Sequence, residues 1–204
     1  MTETPLARRS RLTPERQAEL YTAVLDLLRR VGYDALTMDA VASRCGASKA
    51  TLYRQWGGKA RLVATALHTL RPSHGRNLDT GSLRGDLRAR VKRESESARE
   101  QKTALLRALV VAVQSNADLK EALRRLLMET EIAELRLVLQ RAVERGELRA
   151  DNPAVKYVPL MFLGCAVSHS LFGEAPLTQE LLISFIDAVI LPALGMPASE
   201  QGAT

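Results

Sequence analysis

Residues 45–56 read CGASKATLYRQW, and within them Lys49, Thr51, Tyr53, Arg54 and Gln55 all carry hydrogen-bond donors. Donors at this density suit a helix that touches a polar, anionic surface better than one that only packs. Gly46 breaks the preceding helical pattern, and Ser48 can cap a new helix by accepting from a backbone N–H one turn on. Leu52 supplies an apolar anchor. A short helix of this kind can lie in the major groove of duplex DNA and read base edges. Lys49 can donate to guanine acceptors, while Ala50 or the Thr51 methyl can meet a thymine methyl. Tyr53, Arg54 and Gln55 can reach phosphates or further bases. Lys59 opens the next helix and can add a phosphate contact, and the amide end of that helix itself favours an anion.

Such a helix needs neighbours to hold it. Thr13-Pro14 is a helix start, with Leu20, Val24, Leu27, Leu28 and Val31 following at helical spacing until Gly32. Thr37 caps a second helix whose Met38, Val41, Ala42 and Cys45 share one face. Gly57-Gly58 separates the third helix from a fourth marked by Leu62, Val63, Ala66, Leu67 and Leu70, and Pro72 closes it. The segment PSHGRNLDTGS at 72–82 is rich in turn formers and reads as a linker or loop. Beyond it, helical spacing predicts helices near 83–99, 102–115, 118–145, 153–172 and 178–194, with Asn152-Pro153 and Thr178 as start signals. No β-branched alternation bounded by turns occurs. The expected fold is all-α with about nine helices. It divides into a basic arm (1–12), a three-helix helix-turn-helix unit (13–74), a larger C-terminal helical body (75–196) and a tail (197–204). The runs VKYVPLMFLGCAVSHSLF and LLISFIDAVILPAL carry very few charges, so these last two helices must be covered, internally or by their copies in a dimer.

Charge is segregated in the same way. Of 204 residues, 1–71 hold 12 basic and 6 acidic side chains, whereas 72–204 hold 17 of each. The whole formal excess of +6 therefore lies in the first third. That pattern points to an anionic partner for one part only, with Arg8, Arg9 and Arg11 in a supporting role as a basic arm. Aromatic residues are only 4%, so the core must be built from Leu, Val and Ala. No uncharged apolar run reaches 18 residues and the start MTETPLARRSRLTPER has no apolar signal core. No membrane span or secretion is expected. Cys45 and Cys165 are expected as buried thiols in a reduced, cytoplasmic setting.

The N-terminal third resembles the TetR family of bacterial transcriptional regulators. The resemblance covers about residues 14–74: the helix 14–31 with its exit GYDALTMDAVA, the turn CGASKATLYRQW, and GGKARLVATAL. TLYRQW followed by a Gly/Lys start and an apolar helix is the most specific part. Trp56 and Gly57-Gly58 depart from the family's usual residues at the turn. The stretch ERGELRADNPAV through LTQELLISFIDAVILPALG also looks like C-terminal domains of actinobacterial members. The resemblance implies a ligand-responsive homodimer, usually a repressor. Its N-terminal helices would grip one half of a double-stranded palindromic operator. Its C-terminal domain would bind a small molecule and dimerise through the last two helices, 153–172 and 178–194. By family position, Thr37, Tyr53 and Lys59 look like phosphate contacts, and Ser48, Lys49, Ala50 and Thr51 look like the base-reading end.

The resemblance also places a pocket in the C-terminal domain. Polar or bulky residues on otherwise apolar helices are its candidates: His68, Gln114, Met128, Tyr157, Met161, Phe162, Cys165 and His169. Each has a plainer reading, since Met and Phe at helical spacing usually pack in a core, and a lone His169 without a ligand at i+4 makes no metal site. No metal or cofactor is expected. No enzyme is expected either: no phosphate loop, zincin, nucleophile-elbow or CxxC motif is present, and His68, His74 and His169 are dispersed. The alternative to the regulator is a helical interaction module that keeps a degenerate helix-turn-helix.

Overall fold

The computed structural model describes residues 13–69, 78–173 and 176–197. The expectations for the arm 1–12, for Leu70, Pro72 and His74, and for the tail beyond Pro197 lie outside these residues. Among the described residues the chain forms nine continuous helices and no strand.

α1 (Pro14–Ala35) starts where Thr13 accepts from the Arg16 amide, and it kinks at Gly32, whose φ of 74° lies in the left-handed region. Its buried residues are Leu20, Val24, Leu25, Leu28 and Tyr33. Val31, expected on that face, is 47% exposed, because the kink brings Tyr33 into the core in its place. α2 (Met38–Cys45), α3 (Lys49–Trp56) and α4 (Lys59–Thr69) follow.

The next boundary differs from the sequence expectation. α5 is Leu83–Lys92 and α6 is Glu96–Ser115, so the break falls at 93–95 rather than at 99–102. The Ser95 side chain accepts from the Ala98 amide and starts α6, and the buried Arg99 guanidinium donates to the Val91 and Glu94 carbonyls at the end of α5. Neither Gly nor Pro marks the break. It is made by a cap and by a buried cation on orphan carbonyls.

α7 (Ala117–Leu123) continues through a π turn, Arg124–Met128, into α8 (Glu129–Glu144). The Asn152 side chain accepts from the Ala154 amide ahead of a short 3-10 turn, Val155–Tyr157, and α9 (Val158–Phe172). Thr178 caps α10 (Gln179–Phe185), which runs through a second π turn, Ile186–Ile190, into α11 (Leu191–Ala193).

Two apolar cores result. The first joins α1–α4 to Leu105, Leu109 and Ala112 of α6 and Leu119 of α7. The second joins Leu83 and Leu87 of α5 to Leu135, Val138 and Leu139 of α8, Val158 of α9, and Leu182, Ile186 and Ile190. Each fully buried Leu or Ile contributes roughly 1.5–3 kcal/mol of transfer free energy. The helix 117–144 changes core along its length: Leu123 and Leu127 pack on the first, Leu135 onwards on the second. The π turn, which itself contains Leu127, falls near this change of partner.

Candidate nucleic-acid interface

Two left-handed glycines set the angle between the short helices. Gly46 ends α2 with φ 60° and ψ 28°, and Gly57 ends α3 with φ 76°; a side chain at either would be strained. At the other end of α3, Ser48 Oγ accepts from the Thr51 amide at 3.1 Å and lies 2.8 Å from the Thr51 hydroxyl. Capping thus ties up the Thr51 hydroxyl.

Leu52 and Trp56 face inward, at 0% and 4% exposure. Trp56 packs edge-on against Tyr21 with ring centroids 5.9 Å apart, and its indole N–H donates to the Tyr21 hydroxyl at 3.3 Å. The only tryptophan is thus the bolt of α3 rather than a contact residue. With 52 and 56 turned in, helical geometry turns 50 and 54 directly out and puts 53 at the flank, while 49 stays near the side of 52 and 56. Lys49, Ala50, Tyr53 and Arg54 are all exposed, and Thr51 and Gln55 are half-buried. The outward face is therefore one of donors around a small apolar patch. It can meet base edges and phosphates together.

Three neighbours complete the surface. Thr37 accepts from the Ala40 amide at 3.1 Å, so its side chain serves as the cap of α2. Lys59 is half-buried: its ammonium donates to the Tyr33 carbonyl at 2.8 Å and lies 4.2 Å from the centre of the Tyr33 ring. In this structure it locks the end of α1 to the start of α4. Asp39, not singled out in the sequence, accepts from the Lys49 ammonium at 2.7 Å. That hydrogen bond foremost, with the charge of Asp39, pushes the Lys49 ammonium above the usual lysine range. The signal for it was weak, because an Asp on the first turn of a helix ordinarily reads as a partner of the helix dipole.

The residues proposed for a ligand pocket are spread over several elements. His68 lies exposed on the last turn of α4, Gln114 is exposed near the end of α6, and Tyr157 is 50% exposed before α9. Met128 closes the first π turn. Met161, Phe162 and Cys165 pack against the second core, and His169 is half-buried on α9. Burial pushes both thiols above the usual range, and both cysteines are free and half-buried. Among the described residues no three His, Cys, Asp or Glu side chains come together as a metal site. An open groove of about 640 Å³ runs along Ala18, Thr22 and Asp26 of α1 beside Arg44, on the first core rather than in the C-terminal body.

A donor-lined short helix, bolted by apolar residues behind a glycine turn and packed with further helices, defines a helix-turn-helix DNA-binding regulator. Family profiles agree in both halves. Residues 20–66 match "Bacterial regulatory proteins, tetR family", and residues 78–189 match "Tetracyclin repressor-like, C-terminal domain". An uncharacterised HTH-type transcriptional regulator of Mycobacterium tuberculosis is 35% identical over 181 residues, spanning 88% of each chain. A DNA-binding transcriptional repressor TetR of Mycobacteroides abscessus is 34% identical, spanning 86% of this chain and 92% of that one. Among solved structures, the TetR family transcription regulator SCO0332 superposes with a TM-score of 0.64 at 28% identity, over 86% of this chain and 97% of that one. A regulator from Rhodococcus sp. shares the fold at a TM-score of 0.70 and 18% identity, over 87% and 99%. The chain belongs to the TetR family. It is a transcriptional regulator, not an enzyme.

Proposed function

We propose that the protein is a cytoplasmic homodimeric repressor that binds a palindromic operator through α3 and is released by a small molecule bound in its C-terminal body. The observation that carries this reading is the outward face of α3. Lys49, Ala50 and Thr51, capped by Ser48, form its base-reading end, with Tyr53, Arg54, Gln55, Thr37 and Lys59 around them for phosphates. In that role Lys59 would exchange its carbonyl partner for a phosphate.

The dimer is supported by what α9 and α10 leave uncovered. Along α9 and the turn before it, Tyr157, Leu160, Gly164, Ser168, Leu171 and Phe172 recur at helical spacing and are exposed, Leu160 at 67% and Phe172 at 81%. Leu181 and Val189 make a second exposed apolar set on the α10–α11 helix. Apolar faces of this extent need a partner. Gly164 and Ser168 at the middle of the α9 stripe allow two such helices to cross closely. The 18-residue window 155–172 has a mean hydropathy of 1.3 with 11% of it buried, so its composition alone would also suit a bilayer. The α9 helix proper, 15 residues long, would span only about 22 Å, short of a hydrocarbon core of about 30 Å. A second copy of the same face fits better.

For the effector, Met128, Met161, Phe162, Cys165 and His169 remain the candidate wall, with an apolar or amphipathic molecule as the class they would take. His68, Gln114 and Tyr157 would join them only after a rearrangement. Selection from a random duplex pool, followed by light scattering of the protein with and without the enriched duplex, tests the reading. A palindrome bound by two chains is the expected result. Sequence-blind binding by a monomer, or a dimer that forms only in detergent, would contradict it.

A further inference from the structure

Lys49 is badly placed for its own helix. It is the first residue of α3, where the helix dipole is positive and a cation is disfavoured. It therefore does nothing for helix stability that alanine would not do better. Its ammonium is instead held by Asp39, ten residues away on the first turn of α2, at 2.7 Å. Asp39 suits its own helix end, and the lysine is tethered to it. Both side chains are more than half exposed, at 51% for Lys49 and 67% for Asp39, at the N-terminal end of α3. An acidic group on a surface that meets phosphates lowers general affinity for DNA. Its presence there calls for a role other than attraction.

We propose that Asp39 is a positioning residue for base recognition: it holds the Lys49 ammonium so that the two remaining donors meet O6 and N7 of one guanine in each operator half-site. The inference rests on α3 being the recognition helix. An ammonium has three donors and no acceptor. One goes to Asp39, and two are left at a fixed angle to each other. Guanine offers two acceptors side by side in the major groove, a pattern that no other base presents. A free lysine would be a flexible point charge, equally content with any phosphate. Tethered, it loses reach and gains direction. The pair trades general attraction for selectivity at one base pair.

An exposed ion pair with no function gives the opposite expectation, because most such pairs contribute little. A selection experiment separates the two. Full-length wild type, Asp39→Ala, Asp39→Glu, Lys49→Met and the Asp39→Ala/Lys49→Met double variant would each enrich a random duplex pool, and their base preferences would be compared position by position. The wild type is expected to enrich a palindrome with a guanine at one position of each half-site. Asp39→Ala should weaken the preference for that guanine by at least about fivefold and leave other positions alone. It should also bind scrambled duplex more tightly, with an unchanged melting temperature. Asp39→Glu should restore part of the preference. In the Lys49→Met background, Asp39→Ala should change nothing at that position. An Asp39→Ala preference identical to wild type at every position overturns the inference and leaves the recognition-helix reading standing. So does an equal loss at that position with and without Lys49. A wild type that enriches no palindrome overturns both.

Discussion

The α2–α3 face and the outer face of α9 are both exposed, and they are opposites in chemistry. On α3 the apolar residues Leu52 and Trp56 are turned in and donors are turned out. α9 carries no charged residue, and Leu160, Leu171 and Phe172 are turned out while only Val158 and Ser170 are fully buried. On the proposed reading the first face meets an anion and the second is covered by a second copy. A regulator that reads a symmetric site needs both kinds of surface: one to recognise a half-site, one to fix the distance between two copies of the first.

The largest effect is expected where the α3 face is bolted down. Trp56→Ala removes the ring that packs on Tyr21 and should cost about 3–5 kcal/mol, with Leu52→Ala at about 2–5 kcal/mol, both measured by urea denaturation. If either variant keeps full stability, α3 is not held as described. On the α9 side, the double variant Leu160→Asp/Phe172→Asp should leave the fold of each chain intact, since both residues are exposed within the single chain. It should give a monomer by light scattering and lose on the order of 10²-fold or more in operator affinity, because linkage of the two half-sites disappears. An unchanged dimer would assign the association to another surface. Within the α3 face, Tyr53→Phe should weaken binding to all duplexes alike by a few-fold, whereas Lys49→Ala should also flatten base preference; matched titrations on operator and scrambled duplex separate the two. The smallest effect is a pH dependence at the joint of α1 and α4. Burial foremost, with Asp118 and Asp34 nearby, pushes the Tyr33 phenol from 10.0 up to about 12. The neutral phenol is the form the fold favours, so its contribution is complete below pH 10 and is lost as pH rises from 10 to 12. Melting temperature should therefore hold level from pH 8 to 10 and fall beyond. Tyr33→Phe should flatten that fall.

The same contrast explains what could be read from the chain itself. The helix-turn-helix was legible because its determinants are local: Thr37 and Ser48 cap, Gly46 and Gly57 end helices, and Leu52 marks the inner face, all within a few residues of one another. Most later helices were legible from spacing and from caps such as Thr178. The break at 93–95 was not, because Ser95 and Arg99 make it without Gly or Pro. Both π turns were invisible, since no glycine or proline falls within either, Arg124–Met128 or Ile186–Ile190. Trp56 stood among donors in sequence and proved to be core, because one residue of rotation decides the face. Lys59 looked like a free cation until its carbonyl partners at Tyr33 and Asp34, 26 and 25 residues away, were in place. The pocket candidates were the least legible. Their common property was polarity or bulk on apolar helices, which says nothing of whether they converge.

The most direct measurement is a titration of the selected duplex and of a scrambled one by anisotropy at two salt concentrations, with the stoichiometry counted. Two chains on the palindrome, at least about 10³-fold tighter than on scrambled DNA and weakening steeply with salt, is the result predicted. Equal affinity for both duplexes, or one chain per palindrome at saturation, would contradict the account.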